Sequence, residues 1–272
     1  MKRILFTIIF FSWSSILLSS VFDSQIDFFK IANEKNEPFP VLSEKHSFIP
    51  YSSAYQFQKE WVAYLETLYK KTGYKAGLTS ASSQKKFNTN TPIFGVLVPE
   101  RIYYNFDIIP ISEYQHLFVE AEIGFVIGRD ITTPIKTLST LKRSVASIVA
   151  VAELPDIKFS DLNSFQLVDL IMINSGSNTY VVGQEIDMKQ ANNIDIEFKR
   201  NDEVLYTESS NTVMNDQFVA LHWLVNELLS HGWSLKKGDL LITGAIGSMI
   251  PAKKGRYVIN YGDETSLVFD LR

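Results

Sequence analysis

Hydrophobic residues recur at helical spacing in two long stretches of the chain. Between Tyr55 and Lys71 they are separated by four, four and three residues: Phe57, Trp61, Leu65 and Leu68. This spacing places the side chains on one face of a helix, and we expect Gly73 to end that helix. The second stretch, Phe218–Ser230, is followed by Gly232. Its apolar face consists of Leu221, Leu224, Val225 and Leu228. Both faces predict packing against a core.

Two shorter helices are predicted at Asp23–Asn36 and Thr137–Ser147. The first is followed by NEPFPVLS, whose two prolines end a helix because proline lacks the backbone donor. The second separates two apolar runs of strand length. Each of these helices therefore connects other elements of the fold.

Short apolar runs of strand length account for much of the remaining chain. They are Phe94–Val98, Ile108–Ile111, Phe118–Ile127, Ile148–Leu154 and Asn178–Val182. Ile194–Arg200 and Glu203–Thr207 flank an Asn-Asp pair and predict a hairpin. From Gly238 onward the pattern predicts a strand, a glycine turn, a strand, a hairpin and a strand. We see no internal repeat and no linker, so residues 21–272 are predicted to form one α+β domain on a mixed sheet.

The first twenty residues have a different pattern. Lys2 and Arg3 precede an apolar stretch, Ile4–Leu18, and the small residues Ser19 and Ser20 follow it. This order is typical of a secretory signal peptide, and the stretch is shorter than the ~20 residues of a membrane-spanning helix. We therefore expect residues 1–20 to direct export to the periplasm or the medium. A membrane anchor or a cytoplasmic protein is the alternative.

Composition excludes several functions. A net charge of −4 argues against nucleic-acid binding, which needs a basic face. The sequence has no cysteine, which excludes disulfides, thiolate metal sites and cysteine nucleophiles. The four histidines show no metal-ligand spacing, and the chain has no GxSxG, GxxxxGK[ST] or GxGxxG motif. Any charged site must therefore be built from carboxylates and lysine or arginine.

Two glutamates interrupt the apolar run Phe118–Ile127. Glu120 and Glu122 are two residues apart, so a strand directs both carboxylates to one face. Glu153 ends the run Ile148–Leu154, and the three acids meet if these two strands are neighbours. Oxygen ligands without histidine or cysteine favour Mg²⁺ or Mn²⁺. From the spacing alone, salt bridges to lysine or arginine, or an exposed edge strand, remain alternatives.

Five segments occur in the order found in one family. They are GYKAGLTS (73–80), FGVL (94–97), VEAEIGFVIGRDI (119–131), AELPD (152–156) and GDLLITGAIGSMIPAKKG (238–255). The chain resembles the 2-keto-4-pentenoate hydratases and 4-oxalocrotonate decarboxylases of the fumarylacetoacetate hydrolase superfamily. The resemblance extends from about Ile26 to the C-terminus and implies a mixed β-roll core flanked by helices. It also implies a homo-oligomer and a small 2-oxo acid as substrate.

The resemblance implies specific roles for individual residues. Glu120, Glu122 and Glu153 would bind Mg²⁺ or Mn²⁺, and Lys75 would be the catalytic residue, with a pKa lowered by the cation and by burial. The substrate pocket would be lined by Leu78, Ser177, Thr243 and Gly244. The implied activity is a lyase of the hydratase type. The alternatives are a decarboxylase, an acylpyruvate hydrolase, or a relative that binds its ligand without turnover.

The chain also departs from the family pattern. Ile93 stands before Phe94 and Gly95, where the hydratases often carry aspartate. Ile173 replaces a second aspartate, in the segment Met172–Asn178. These acids would be candidates for positioning water, so their loss bears on the hydration step and leaves the predicted metal ligands intact. Export is a further departure, since members of the family are typically cytoplasmic catabolic enzymes.

Overall fold

The computed structural model describes residues 25–46 and 48–272. The predicted signal peptide lies outside these residues. Residues 25–34 form helix α1, within the predicted helix Asp23–Asn36. None of the helices in the described part of the chain combines the length and hydrophobicity that a membrane crossing requires.

Five further α-helices follow α1 in the described chain: α2 (Tyr51–Leu68), α3 (Ala81–Lys86), α4 (Leu138–Lys142), α5 (Leu167–Met172) and α6 (Gln217–Ser230). Helix α6 matches the predicted stretch to within one residue. Helix α2 begins before Tyr55 and ends at Leu68, after which Tyr69 is already extended. The prediction that Gly73 ends this helix is wrong, because Gly73 is the first residue of a strand.

Thirteen strands are present in the described chain. The first seven are β1 (Gly73–Gly77), β2 (Ile93–Leu97), β3 (Ile102–Tyr104), β4 (Ile108–Ile109), β5 (Phe118–Ile127), β6 (Val145–Leu154) and β7 (Thr179–Ile186). The others are β8 (Asp195–Arg200), β9 (Glu203–Ser209), β10 (Leu240–Ile242), β11 (Ile250–Pro251), β12 (Gly255–Tyr261) and β13 (Thr265–Leu271). Strand β5 has the predicted bounds, and β8 and β9 form the predicted hairpin.

The strands form two mixed sheets in the part of the chain that the structure covers. The larger sheet has the order β2-β1-β10-β5-β6-β7-β3, and β11 also pairs with β5. Its β1–β10 and β3–β7 pairs are parallel, and the others are antiparallel. The smaller sheet has the order β4-β13-β12-β8-β9. The α+β class and the mixed sheet are confirmed.

Two sequence-based boundaries were misplaced for identifiable reasons. The predicted helix Thr137–Ser147 is helical only at α4, because β6 begins at Val145 and pairs with the end of β5. Gly73 lies directly beside Leu240 of β10, and a Cβ at Gly73 would come within 1.8 Å of the Leu240 carbonyl oxygen. Glycine is therefore required there for close strand packing rather than for ending a helix.

The buried hydrophobic residues form two principal clusters. The larger cluster joins residues of both sheets to α6. The smaller cluster joins α1, α2 and α5, and its aromatic centre consists of Phe29, Phe39, Phe57 and Trp61. On the predicted apolar face of α2, Phe57 and Trp61 are buried, whereas Leu68 is 48% exposed. The apolar face of α2 therefore contacts the core as far as Leu65, and only its last residues are exposed.

Candidate active site

The pairing of β5 with β6 brings the three glutamates together. Glu120 lies directly opposite Glu153 in the antiparallel ladder, and Glu122 lies opposite Val151, two residues along β5. One carboxylate oxygen from each of the three lies within 4.8 Å of the others. Glu122 and Glu153 are buried, and Glu120 is half-buried because it lines a cavity. The register thus concentrates three acidic groups in the interior.

Lys75 reaches these carboxylates from β1. Its ammonium Nζ donates a hydrogen bond to Oε1 of Glu153 at 2.6 Å, and the lysine is only 4% exposed. Gly95 on the neighbouring strand makes room for the lysine, since a Cβ there would lie 3.1 Å from the Lys75 Cγ atom. The lysine of the GYKAGLTS segment is therefore an interior residue with a defined partner.

The charges in this group do not balance, because one ammonium faces three carboxyl groups. Burial by itself lowers the pKa of Lys75, but the charges of Glu153, Glu120 and Glu122 outweigh burial and raise it. The predicted lowering of the Lys75 pKa concerned the site with a divalent cation bound, and it stays a prediction. Burial and the Glu153 charge raise the pKa of Glu120 to about 8. Burial, Glu153 and Glu120 also raise the pKa of Glu122 well above its usual value.

The residues present fit a divalent cation. The Gly244 N–H donates to Oε2 of Glu122 at 2.7 Å, while the other oxygen of Glu122 has no hydrogen-bond partner. Oε2 of Glu153 is likewise buried and has no partner. Buried carboxylate oxygens without a partner are costly, and a cation offers them the missing interaction. Glu120, Glu122 and Glu153 form an all-oxygen set that suits a hard divalent ion.

A cavity of about 160 Å³ opens beside Lys75 and Glu120. Its other polar lining side chains are Ser175 and Lys86. The remaining walls are mainly apolar and include Leu78, Ile93, Phe118, Phe165 and Met249. The cavity therefore combines a charged end with mostly apolar surroundings, which is the usual composition of a small-molecule site.

Ser175 lies at the cavity wall on a turn with unusual backbone angles. Asn174, Ser175 and Gly176 have consecutive positive φ angles of 59°, 56° and 67°. The Asn174 amide fixes the turn to β2, since it accepts the Val96 N–H and donates to the Val96 carbonyl, both at 2.7 Å. Strain of this kind persists only where surrounding contacts determine it, and it is concentrated at functional sites.

The same turn is attached to α2. The Ser175 hydroxyl donates to the Phe94 carbonyl at 2.6 Å. The buried amide of Gln58, on α2, donates to that same carbonyl at 3.0 Å and to the Ile171 carbonyl at 3.1 Å. Helix α2, β2 and α5 therefore meet at the backbone that holds Ser175.

The structure places the four predicted pocket residues in different surroundings. Leu78 lines the cavity and has a φ of 55°. Ser177 lines a separate cavity, and its hydroxyl donates to the Val96 carbonyl at 3.1 Å. Thr243 is buried and donates to Oε1 of Gln217 at 2.5 Å, and Gly244 binds Glu122 through its N–H. Thr243 and Gly244 thus do not line this cavity but contact Gln217 and the Glu122 carboxylate, while Leu78 lines the cavity.

Sequence reasoning missed Ser175, Lys86, Phe165 and Met249. Ser175 is two residues from the predicted Ser177 within a run of small residues, and only the turn geometry shows which serine faces the cavity. Of the two departures from the family pattern, Ile93 lines the cavity, whereas Ile173 packs in the smaller hydrophobic cluster. The apolar side chain of Ile93 is therefore part of the cavity wall.

Comparison with known proteins gives a consistent assignment. The model of the fumarylacetoacetate (FAA) hydrolase C-terminal family matches residues 68–270. The chain therefore belongs to this family, as the five sequence segments indicated.

Among curated proteins, the chain is similar to 2-keto-4-pentenoate hydratase 2 of Dechloromonas aromatica (strain RCB). The two are 28% identical over 236 residues, which cover 83% of this chain and 87% of that protein. It is also 30% identical over 186 residues to the 2-keto-4-pentenoate hydratase of Paraburkholderia xenovorans (strain LB400), covering 67% of this chain and 69% of that enzyme.

Among solved structures, the fold is similar to that of 4-oxalocrotonate decarboxylase from Pseudomonas putida G7, complexed with magnesium and adipate. The TM-score is 0.86 with 19% sequence identity, and the match covers 100% of both chains. At this identity the likeness concerns the fold. The expected architecture of the superfamily is thereby confirmed.

Proposed function

We propose that this protein is a divalent-metal-dependent hydro-lyase acting on a small 2-oxo or 2-hydroxydienoic acid, of the 2-keto-4-pentenoate hydratase type. One observation carries the proposal: three converging carboxylates and a buried lysine lie at the charged end of a small, largely apolar cavity. The family membership and the hydratase relatives support it.

Glu120, Glu122 and Glu153 would hold the cation, and Mg²⁺ or Mn²⁺ is the proposed occupant because the ligand set contains oxygen only. When bound, the cation supplies a Lewis acid that favours negative charge on the 2-oxygen of the substrate. The backbone N–H of Gly244 keeps the Glu122 carboxylate in place at 2.7 Å.

Lys75 is the proposed proton carrier. Lys75 lines the cavity, and its ammonium Nζ donates a hydrogen bond to Glu153 at 2.6 Å. A 2-hydroxydienoic acid must take up a proton on carbon before water adds at the remote double bond, and Lys75 can deliver that proton. The apolar walls keep bulk water away from the reacting chain, which strengthens the interactions of the charged end.

A decarboxylase is the second candidate, and Ile93 favours it. Hydration needs a group that positions water, whereas the wall at position 93 is an apolar isoleucine. Loss of CO₂ from a 2-oxo acid with a suitable electron sink needs no such group. An apolar wall beside the departing carboxylate would also favour the reaction, because neutral CO₂ leaves and the negative charge moves with the electron pair of the broken C–C bond toward the 2-oxygen.

A substrate panel distinguishes these functions. Purified protein with Mg²⁺ or Mn²⁺ is mixed with 2-hydroxypenta-2,4-dienoate, a 2-oxo-enedioate and an acylpyruvate. Loss of dienoate absorbance with formation of 4-hydroxy-2-oxopentanoate supports the hydratase, and CO₂ release supports the decarboxylase. Pyruvate together with a carboxylic acid would identify an acylpyruvate hydrolase. Ligand-induced thermal stabilisation without any product would identify a binding protein and refute both proposed activities.

We also propose export through residues 1–20 and a homo-oligomeric mature protein. The proposal of export rests on the basic, apolar and small-residue order of the N-terminus. Intact-mass measurement of protein from its native host tests it: a mass that lacks about twenty N-terminal residues supports export, and retention of Met1 contradicts it. Light scattering of the purified protein tests the oligomer.

A further inference from the structure

A tyrosine of the smaller sheet contacts the backbone that carries the metal ligands. The Tyr261 hydroxyl, on β12, lies 2.9 Å from the Glu122 carbonyl oxygen and 2.7 Å from the Val151 carbonyl oxygen. The Val151 N–H donates to the same hydroxyl at 3.2 Å. Glu122 and Val151 are opposite each other in the β5–β6 ladder, so the hydroxyl lies between the two strands at this pair.

This hydroxyl contacts the backbone of residues that lie on the two strands carrying the three carboxylates. Glu122 is itself one of the three acids, and the Glu120–Glu153 pair lies two residues further along the same ladder. A change in strand separation at Glu122 and Val151 would therefore move ligand oxygens on both strands. The side of β6 away from β5 is irregular here, since its register with β7 shifts between Val149 and Val151. Val151 itself pairs with Val182 at the end of this shift, so the Tyr261 hydroxyl adds to the pairing that holds Val151.

The surroundings of Tyr261 support this role. The residue is fully buried, so its hydroxyl depends on protein groups for hydrogen bonds. A neutral phenol has one hydrogen, which the two carbonyl oxygens of Glu122 and Val151 share, and its oxygen accepts the Val151 N–H. Removing the hydroxyl would take one hydrogen-bond partner from the Glu122 carbonyl and from both backbone groups of Val151.

We infer that Tyr261 is a positioning residue that sets the separation of β5 and β6 and so the geometry of the Glu120, Glu122 and Glu153 carboxylates. This inference rests on the proposed metal site. It assigns to the smaller sheet a function in metal binding, although none of the three carboxylates belongs to that sheet.

The test compares Tyr261→Phe with Tyr257→Phe. Tyr257 is a matched control because it is also a fully buried tyrosine of β12 and its hydroxyl also bonds to backbone, accepting the Lys253 N–H at 2.9 Å and donating to the Lys253 carbonyl at 3.0 Å. Both variants lose a buried hydroxyl, but only Y261F affects the ligand strands. Calorimetry with Mn²⁺ is expected to show about 10-fold weaker binding for Y261F, as for other supporting groups of metal ligands, and less than about 2-fold for Y257F.

Equal Mn²⁺ affinity of Y261F and the unsubstituted protein would overturn the inference. Equal losses of Mn²⁺ affinity in both variants would also overturn it, because they would indicate that any loss of stability in this region weakens metal binding. If the unsubstituted protein bound neither Mn²⁺ nor Mg²⁺, the metal site would fail and the inference with it. A loss confined to Y261F in a protein that binds metal but turns over no substrate would support the inference and refute the proposed activity.

Hydrogen exchange on the unsubstituted protein keeps the inference testable if Y261F does not fold. Saturation with Mn²⁺ should slow exchange at the Val151 amide more than at the Lys253 amide, because coupling between the ligands and the Tyr261 hydroxyl acts in both directions. Equal slowing at the two amides would contradict the inference.

Discussion

The ammonium of Lys75 and the carboxylate of Glu153 are 2.6 Å apart and almost completely inaccessible to solvent. Lys75 comes from β1 and Glu153 from β6, and β10 and β5 lie between these two strands in the sheet. The pair therefore spans the centre of the larger sheet. The same carboxylate is a proposed metal ligand. The Lys75 ammonium and the metal ion would therefore compete for Glu153.

Replacing Glu122 by Gln should abolish metal binding while retaining the fold. The amide removes one negative charge but keeps an oxygen that can accept the Gly244 N–H. Changes in supporting groups typically weaken metal binding 10–100-fold, so we expect a loss of about 100-fold or more for a ligand. Calorimetry with Mg²⁺ and the hydratase assay measure the outcome. Glu185→Gln, an exposed site on β7, is the control. Unchanged Mg²⁺ affinity in E122Q would falsify the ligand assignment.

Replacing Lys75 by Met should separate catalysis from metal binding. Turnover should fall roughly 10²- to 10⁴-fold, the usual contribution of a proton-transfer group. Metal affinity at pH 8 should be retained or increase, because the cation that competes for Glu153 is removed. Mn²⁺ titration and steady-state kinetics are compared with those of Lys70→Met, an exposed lysine. Substantial residual turnover in K75M would show that another group moves the proton.

Stability of the protein stripped of metal by a chelator should fall as the pH rises from about 4.5 to about 8. Burial and the charge of Glu153 raise the pKa of Glu120 to about 8 in the folded protein, whereas the ordinary pKa of the group, which applies to the unfolded chain, is 4.5. The folded protein therefore binds more protons than the unfolded chain in this range, and rising pH favours unfolding.

Thermal melts from pH 5 to pH 8, with EDTA or with Mg²⁺, measure this dependence. Mg²⁺ should stabilise the protein more at pH 8 than at pH 5, because at low pH it must displace protons from the carboxyl groups. Glu120→Gln should reduce the slope with EDTA. A melting temperature that rises across this range in EDTA would contradict the assigned pKa direction.

Replacing Gly244 by Ala should destabilise the protein and weaken metal binding. Gly244 has a φ of 108°, and a Cβ there would lie 2.2 Å from Oγ1 of Thr79. Gly238 is a matched control because it has a φ of 94° and a Cβ there would meet nothing within 4 Å. We expect G238A to cost about 1 kcal/mol from backbone strain, and G244A about 2 kcal/mol or more from strain and overlap.

Urea denaturation gives the two losses of stability, and Mn²⁺ titration gives the affinities. Only G244A should weaken Mn²⁺ binding, since its N–H holds Glu122. Equal stability losses and equal affinities in the two variants would show that the contact with Thr79 relaxes without moving the carboxylate.

The sequence predicted those parts of the site that depend on local spacing. The two-residue separation of Glu120 and Glu122 and the length of β5 were sufficient to place both carboxylates on one face, and the structure has that arrangement. The position of Glu153 depended on strand neighbours, which the order of apolar runs suggested without specifying a register. The register itself comes from long-range packing of the sheet.

Other features had no usable local signal. Gly73 resembles a helix stop, and only its contact with Leu240 explains the residue. The choice between Ser175 and Ser177 depends on a turn with three positive φ angles. The sign of the Lys75 pKa shift depends on three carboxylates from two other strands. Tyr261 was not identified, because a tyrosine in an alternating strand usually indicates only a core position.

The hydrogen bonds of Gln58 join the family-matched segment to a helix that lies almost entirely upstream of it. The match begins at residue 68, whereas Gln58 lies upstream on α2 and binds the backbone of Phe94 and Ile171. The smaller hydrophobic cluster likewise depends on upstream aromatic residues such as Phe57 and Trp61. A chain that began at residue 68 would expose the apolar side chains of α5 and lose the Gln58 contacts, while Asn174 would still hold the Ser175 turn to Val96. Helices α1 and α2 thus support the cavity wall from outside the matched segment, through residues that do not line the cavity themselves.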